Sequence, residues 1–179
     1  MRTLRLSLVG AVILVSLSSM SLIAVAQDET TAPAEPVAVT GTITSWDVQS
    51  YGSTVTEGGI YWTEGPWWKI TWEASDPRLS GQGTRSANWN EWVTTGISIG
   101  ASTYVLVNPD GRWVGSGSST ALSSGDLHEM VVLRGEDAYD GLTATVLIEN
   151  DFSSPATFVG VIFPGEPPKV PEPVEPPAE

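Results

Sequence analysis

The chain has 179 residues, a formal net charge of −13 at neutral pH, 21 acidic against 8 basic residues, one histidine, eight tryptophans and no cysteine. A surface that acidic repels nucleic acid and anionic lipid, both of which need phosphate neutralised by Lys or Arg. The absence of cysteine excludes disulfides, thiolate metal sites and a cysteine nucleophile, and a lone histidine argues against zinc, so no metal and no cofactor are expected.

Residues 1–26 read as an export signal. Arg2 and Arg5 form a basic start, Leu6 to Leu17 is almost unbroken apolar sequence, and Ala24-Val25-Ala26 is a small-x-small cleavage site, so cleavage is expected near Ala26–Gln27. The apolar stretch from Leu6 to Val25 is nearly long enough to span a bilayer, which leaves an uncleaved anchor helix as the alternative. The expected location is secreted or cell-envelope, with no stable membrane insertion once the signal is removed. Six basic residues would then face 21 acidic ones. That excess suits solubility outside the cell, and a cationic partner is the sharper reading of the same charge.

Residues 27–36 are polar with two prolines and read as a disordered leader. From 37 to 163 helical periodicity is absent. Short runs alternate apolar and polar residues with a period of two, separated by Gly, Ser, Asn and Asp. Strands are expected at about Val37–Gln49, Ile60–Thr63, Trp67–Ala74, Leu79–Asn88, Thr103–Val107, Arg112–Ser118, Leu127–Arg134, Leu142–Glu149 and Ala156–Phe163. Asn108-Pro109-Asp110-Gly111 is a turn, in which proline sets φ and glycine takes a positive φ, and Asn150 to Pro155 is a longer one. Residues 164–179 hold seven prolines and four glutamates and should form an extended, polyproline-like tail. Eight or nine short antiparallel strands in one domain imply an all-β fold, a closed barrel of about eight strands or, as the alternative, a β-sandwich.

All eight tryptophans lie between Trp46 and Trp113. In Trp67–Trp72, the face carrying Trp68, Ile70 and Trp72 should point inward and the face with Trp67, Lys69 and Thr71 outward. Trp68, Ile70, Trp72, Tyr139 and Phe158 are therefore the expected core. Each fully buried indole removes about 150–250 Å² from water, worth at most about 4–6 kcal/mol before entropy, which would offset the missing disulfides. Asn88-Trp89-Asn90-Glu91-Trp92 mixes amides, a carboxylate and indoles in an expected loop, as polar-ligand sites do. Trp62, Trp67, Trp89, Asn90, Glu91 and Trp92 are thus the ligand-binding candidates, suited to stacking on a sugar or a small apolar molecule.

No catalytic residue is assigned. His128 stands beside Glu129, but no Gly-x-Ser-x-Gly elbow accompanies it; Gly115-Ser116-Gly117-Ser118 is too short a match. The carboxylates Asp47, Glu57, Glu64, Glu73, Glu91 and Glu129 could in principle supply a glycosidase-like pair, although most carboxylates on strands and loops face solvent. Glu136, Asp137 and Asp140 are close in sequence, but their spacing is not that of a calcium loop and turns favour Asp in any case.

The segment from Arg134 to Val146 has a glycine ending one strand, a Tyr139-Asp140-Gly141-Leu142 corner and then an alternating apolar strand. This resembles the corner of allene oxide cyclase and dirigent-type barrels, and of a group of bacterial secreted proteins whose similar corner is followed by a strand and a Pro-Gly end, here Phe163-Pro164-Gly165. The resemblance covers about Tyr104 to Gly165 and implies an eight-stranded antiparallel, calycin-like barrel. The cyclase's catalytic glutamate, proline and cysteine have no counterparts here, so neither its activity nor radical coupling is carried over. The expected function is a non-catalytic module that binds a small ligand or carbohydrate, or one associated with the envelope. The alternative is a small cavity enzyme of the isomerase or cyclase type. An oligomeric state is not legible.

Overall fold

A computed structural model describes residues 35–122, 125–151, 155–167 and 169. The expected export signal, most of the leader, most of the tail and part of the Asn150–Pro155 turn lie outside those residues. Ten strands follow in chain order: β1 Val37–Ser50, β2 Ser53–Glu57, β3 Ile60–Glu64, β4 Trp67–Ala74, β5 Gly81–Trp92, β6 Ile97–Val107, β7 Gly111–Leu122, β8 Leu127–Asp137, β9 Leu142–Asn150 and β10 Ala156–Pro164. A 3-10 turn, Pro77–Leu79, separates β4 from β5. Among the described residues no helix is long and apolar enough to cross a membrane.

The sheet runs β5-β4-β1-β10-β9-β8-β7-β6 and closes by pairing β6 with β5, giving an eight-stranded antiparallel barrel. Closure removes the exposed edges that an open sheet of this size would carry. The hairpin β2–β3 is an addition to the barrel wall. One edge of β5 is shared: Gly81–Ser86 pairs with β4, and Trp89–Trp92 pairs with β3.

The sheet is more extensive than the alternation in the sequence predicts. Strand β2 was not expected at all. Asn88–Trp92 is not a loop but the end of β5, β6 begins at Ile97 rather than Thr103, and β7 continues to Leu122 rather than Ser118. Leu79 belongs to the 3-10 turn, where the Asp76 side chain accepts from the Arg78 N–H and Pro77 opens the turn. The under-read ends of β5, β6 and β7 share one feature. Their inward positions carry Glu91, Ser98, Gly100, Ser119 and Ala121, which are polar or small, so the period-two apolar signal vanishes where the lumen is not filled.

Core packing fills one half of the barrel. Trp72 and Trp113 are both buried, with Trp72 4.8 Å from Phe158 and edge-on to Tyr104 at 6.0 Å between ring centroids. Ile43, Ile70, Leu106, Leu133, Ile148 and Ile162 complete the same cluster. Phe158 fits only because β1 presents Gly41 opposite it: a Cβ there would lie 2.4 Å from the phenyl ring.

That packed end is also plugged. Leu79 of the 3-10 turn is fully buried in the same cluster as Trp113, whose indole N–H donates to the Arg78 carbonyl at 2.8 Å. Tyr139 stacks on Trp113 at 5.2 Å and donates its hydroxyl to Asn108 Oδ1 at 2.8 Å. Asn108 Nδ2 in turn donates to the carbonyls of Arg78 and Ser80. One asparagine thereby joins the β6–β7 turn, the 3-10 turn and the β8–β9 corner. Asp76 and Arg78 form an ion pair at 2.7 Å on the same plug. The Arg78 hydrogen bond holds the Asp76 carboxyl below its ordinary value despite partial burial.

Candidate functional site

The other end of the barrel holds a cavity of about 300 Å³. It lies at the ends of β5, β6, β7 and β8 that meet the β5–β6 turn and the β7–β8 connection. Trp68, Ala87, Trp89, Leu122 and Leu127 supply apolar walls; Arg85, Glu91, Ser98 and Ser119 are among the polar ones. The Trp68 and Trp89 rings lie 6.4 Å apart with their planes 27° from parallel, an offset pair forming one continuous aromatic wall.

Strand parity explains this constellation. On β5 the inward positions are Arg85, Ala87, Trp89 and Glu91, taken every second residue. On β8 the inward row is Leu127, Glu129, Val131 and Leu133, all buried. A glutamate in an apolar row must find a partner or lose its charge, and the register supplies one. Arg85 lies opposite Tyr104, and Ser102 is one inward position away on the same strand.

Arg85 Nη2 sits 3.0 Å from Glu129 Oε2, with the arginine side chain 8% exposed and the glutamate fully buried. Arg85 Nε donates to Tyr104 Oη at 2.9 Å and to Glu129 Oε2 at 3.2 Å. The Tyr104 hydroxyl donates to Glu129 Oε2 at 2.8 Å, and the Ser102 hydroxyl donates to Glu129 Oε1. Gly117, on the neighbouring β7, leaves room for this network: a Cβ there would lie 2.9 Å from both Glu129 Oε1 and Ser102 Oγ. Burial disfavours charge on Arg85, but Tyr104 and Glu129 outweigh it and hold the guanidinium charged. Burial, reinforced by Glu129, drives the Tyr104 hydroxyl far above the ordinary tyrosine range in spite of Arg85, so it stays a neutral donor.

The guanidinium carbon is also 5.1 Å from the Trp68 ring and 5.9 Å from that of Trp46. Arg85 is therefore fixed from several sides while its surface still lines the cavity. Nε and Nη2 are committed to Tyr104 and Glu129, whereas Nη1 makes no hydrogen bond with a described residue. Such a site can present preorganised guanidinium N–H groups beside an aromatic wall.

The structure divides the sequence candidates. Trp89 and Glu91 line the cavity. Asn90 and Trp92 have the opposite parity on β5, and Trp62, paired with Asn90, shares that outer face and is 43% exposed. Trp67 also faces outward, at 36% exposure. These four do not converge with Trp89 and Glu91, because a strand sends alternate side chains to opposite faces where a loop could have gathered them. Of the expected core residues, Ile70, Trp72, Tyr139 and Phe158 are buried. Trp68 is only half-buried: it packs on the core with one side and lines the cavity with the other.

Arg85, Ser98 and Ser119 are polar cavity residues that the sequence pattern does not mark, and Glu129 is a sequence candidate without its partner. The available signal was parity on β8, where Glu129 stands in an otherwise apolar inward row; the β5 row of Gly83, Arg85, Ala87, Trp89 and Glu91 carries no such contrast. His128 and Glu149 are exposed and 3.6 Å apart. Glu136 pairs with Arg112 at 2.9 Å across exposed side chains. Among the described residues no group of three or more His, Cys, Asp or Glu could hold a metal ion. Comparisons with protein-family models, curated proteins and solved structures gave no match for this chain.

Proposed function

We propose that the chain is an exported barrel that binds a small ring-bearing molecule, a saccharide or an apolar compound, in the cavity at its open end. The observation that carries this reading is the Trp68–Trp89 wall standing beside Arg85, a donor locked in place by Glu129, Tyr104 and Ser102. Cavities of this size, mostly apolar with a few placed polar groups, are the ordinary form of small-ligand sites. Binding is favoured over cavity catalysis because both Glu129 oxygens are engaged by Arg85, Tyr104 and Ser102, leaving that carboxylate to hold Arg85 rather than to transfer protons. A cavity enzyme of the isomerase or cyclase type is the second reading. It is favoured by Glu91, a carboxylate sharing the cavity with Arg85.

Titration of tryptophan fluorescence with a panel of soluble polysaccharides, peptidoglycan fragments and small aromatic compounds tests the proposal. The expected result is saturable quenching by at least one member, abolished by Trp89→Ala and retained by Trp62→Ala. No response to any member, or an equal loss in both variants, would sink it.

A further inference from the structure

An arginine in a pocket is ordinarily a receptor for carboxylate or phosphate. Three observations set Arg85 apart from that pattern. Its charge is already matched by Glu129 at 3.0 Å, with both side chains withdrawn from solvent. The other ionisable residue lining the cavity is Glu91, which is acidic. The chain as a whole carries a large acidic excess. An anionic ligand would give up its hydration on entry and meet a guanidinium whose countercharge is in place, together with a second carboxylate nearby. Nothing in that balance returns the desolvation cost.

A neutral oxygen fares differently. A carbonyl, ether or hydroxyl oxygen is cheaper to desolvate, and it can accept from Arg85 Nη1 without adding charge to the cavity. Its ring then lies along Trp68 and Trp89. Resting on the reading of this cavity as a ligand site, we infer that it selects uncharged ring-bearing molecules that present an oxygen acceptor to Arg85, and that it rejects their carboxylate analogues. The Arg85–Glu129 pair is the specificity device. It fixes the donor and cancels its attraction for anions, an instance of selectivity built partly on exclusion.

Two matched pairs test this with the full chain at neutral pH: 2-naphthamide against 2-naphthoate, and glucose against glucuronate, each titrated by calorimetry and tryptophan quenching. In whichever pair is recognised, the neutral member should bind at least about tenfold more tightly, equivalent to about 1.4 kcal/mol. A smaller preference, or a reversed one, overturns the inference while leaving the cavity a ligand site. If no member of either pair binds, the inference falls, and the wider ligand panel decides separately whether the cavity is a ligand site. Glu129→Gln keeps the shape of the side chain and removes its charge, so the preference should reverse toward the carboxylate. A folded Glu129→Gln protein that still prefers the neutral member also overturns the inference, and if that variant does not fold the wild-type pairs decide alone.

Discussion

The two ends of the barrel use the same residue types in opposite ways. At the plugged end, Trp113 and Tyr139 stack on one another within the cluster that holds Leu79, and each of their side-chain polar atoms has a protein partner. At the open end, Trp68 and Trp89 stack on one another beside the cavity, which Arg85 also lines while paired to Glu129. The comparison teaches that an aromatic pair has no intrinsic role in a barrel. What decides is whether the facing strands bring bulky side chains into the remaining volume, as Leu106 and Leu133 do at one end, or small and polar ones such as Ser98, Gly100 and Ser119, as at the other.

The contrast can be broken by substitution. Trp113→Ala should cost about 3–5 kcal/mol in denaturant unfolding, the usual loss for a fully buried large aromatic, while leaving ligand quenching at the open end intact. Quenching lost together with stability would show that the ends are not independent. Glu129→Ala should cost a similar 3–5 kcal/mol, because it strands the buried Arg85 charge, and it should also alter ligand affinity. A cost below about 1 kcal/mol would mean that the pair is hydrated.

The pH dependence sharpens the same contrast. Tyr104 has a raised folded value, so its contribution is fully present below the ordinary tyrosine value near 10 and is lost as pH rises above it, where the unfolded chain ionises and the folded one does not. Stability should therefore fall in alkaline solution, and Tyr104→Phe should make that fall shallower; parallel curves would count against it. The plug behaves oppositely. Asp76 has a lowered folded value, so its contribution is present above the ordinary aspartate value and disappears as pH drops through the folded one. Asp76 is near the surface, so this is the smallest effect. It should appear as a slightly steeper acid limb than that of Asp76→Asn, and identical limbs would rule it out.

Much of the barrel was legible in the sequence. The apolar inward face of Trp67–Trp72, the largely apolar inward row of Leu127–Arg134 and the apolar run Ala156–Phe163 located β4, β8 and β10, and the turn at Asn108–Gly111 followed from the backbone preferences of its residues. The longest missing parts were β2, the last residues of β5 and β7 and the start of β6. Those are the stretches that border the cavity or stand outside the barrel, where no packed core imposes a pattern on the sequence.

The sequence by itself determined an all-β chain, its acidity, its lack of disulfides and the faces of its strongest strands, since these depend on composition and on a period of two. Only the tertiary structure decided which tryptophans share a cavity and which carboxylate meets Arg85. Those are matters of register across strands: Arg85 and Glu129 lie 44 residues apart in the chain, and closure of the barrel brings them to 3.0 Å.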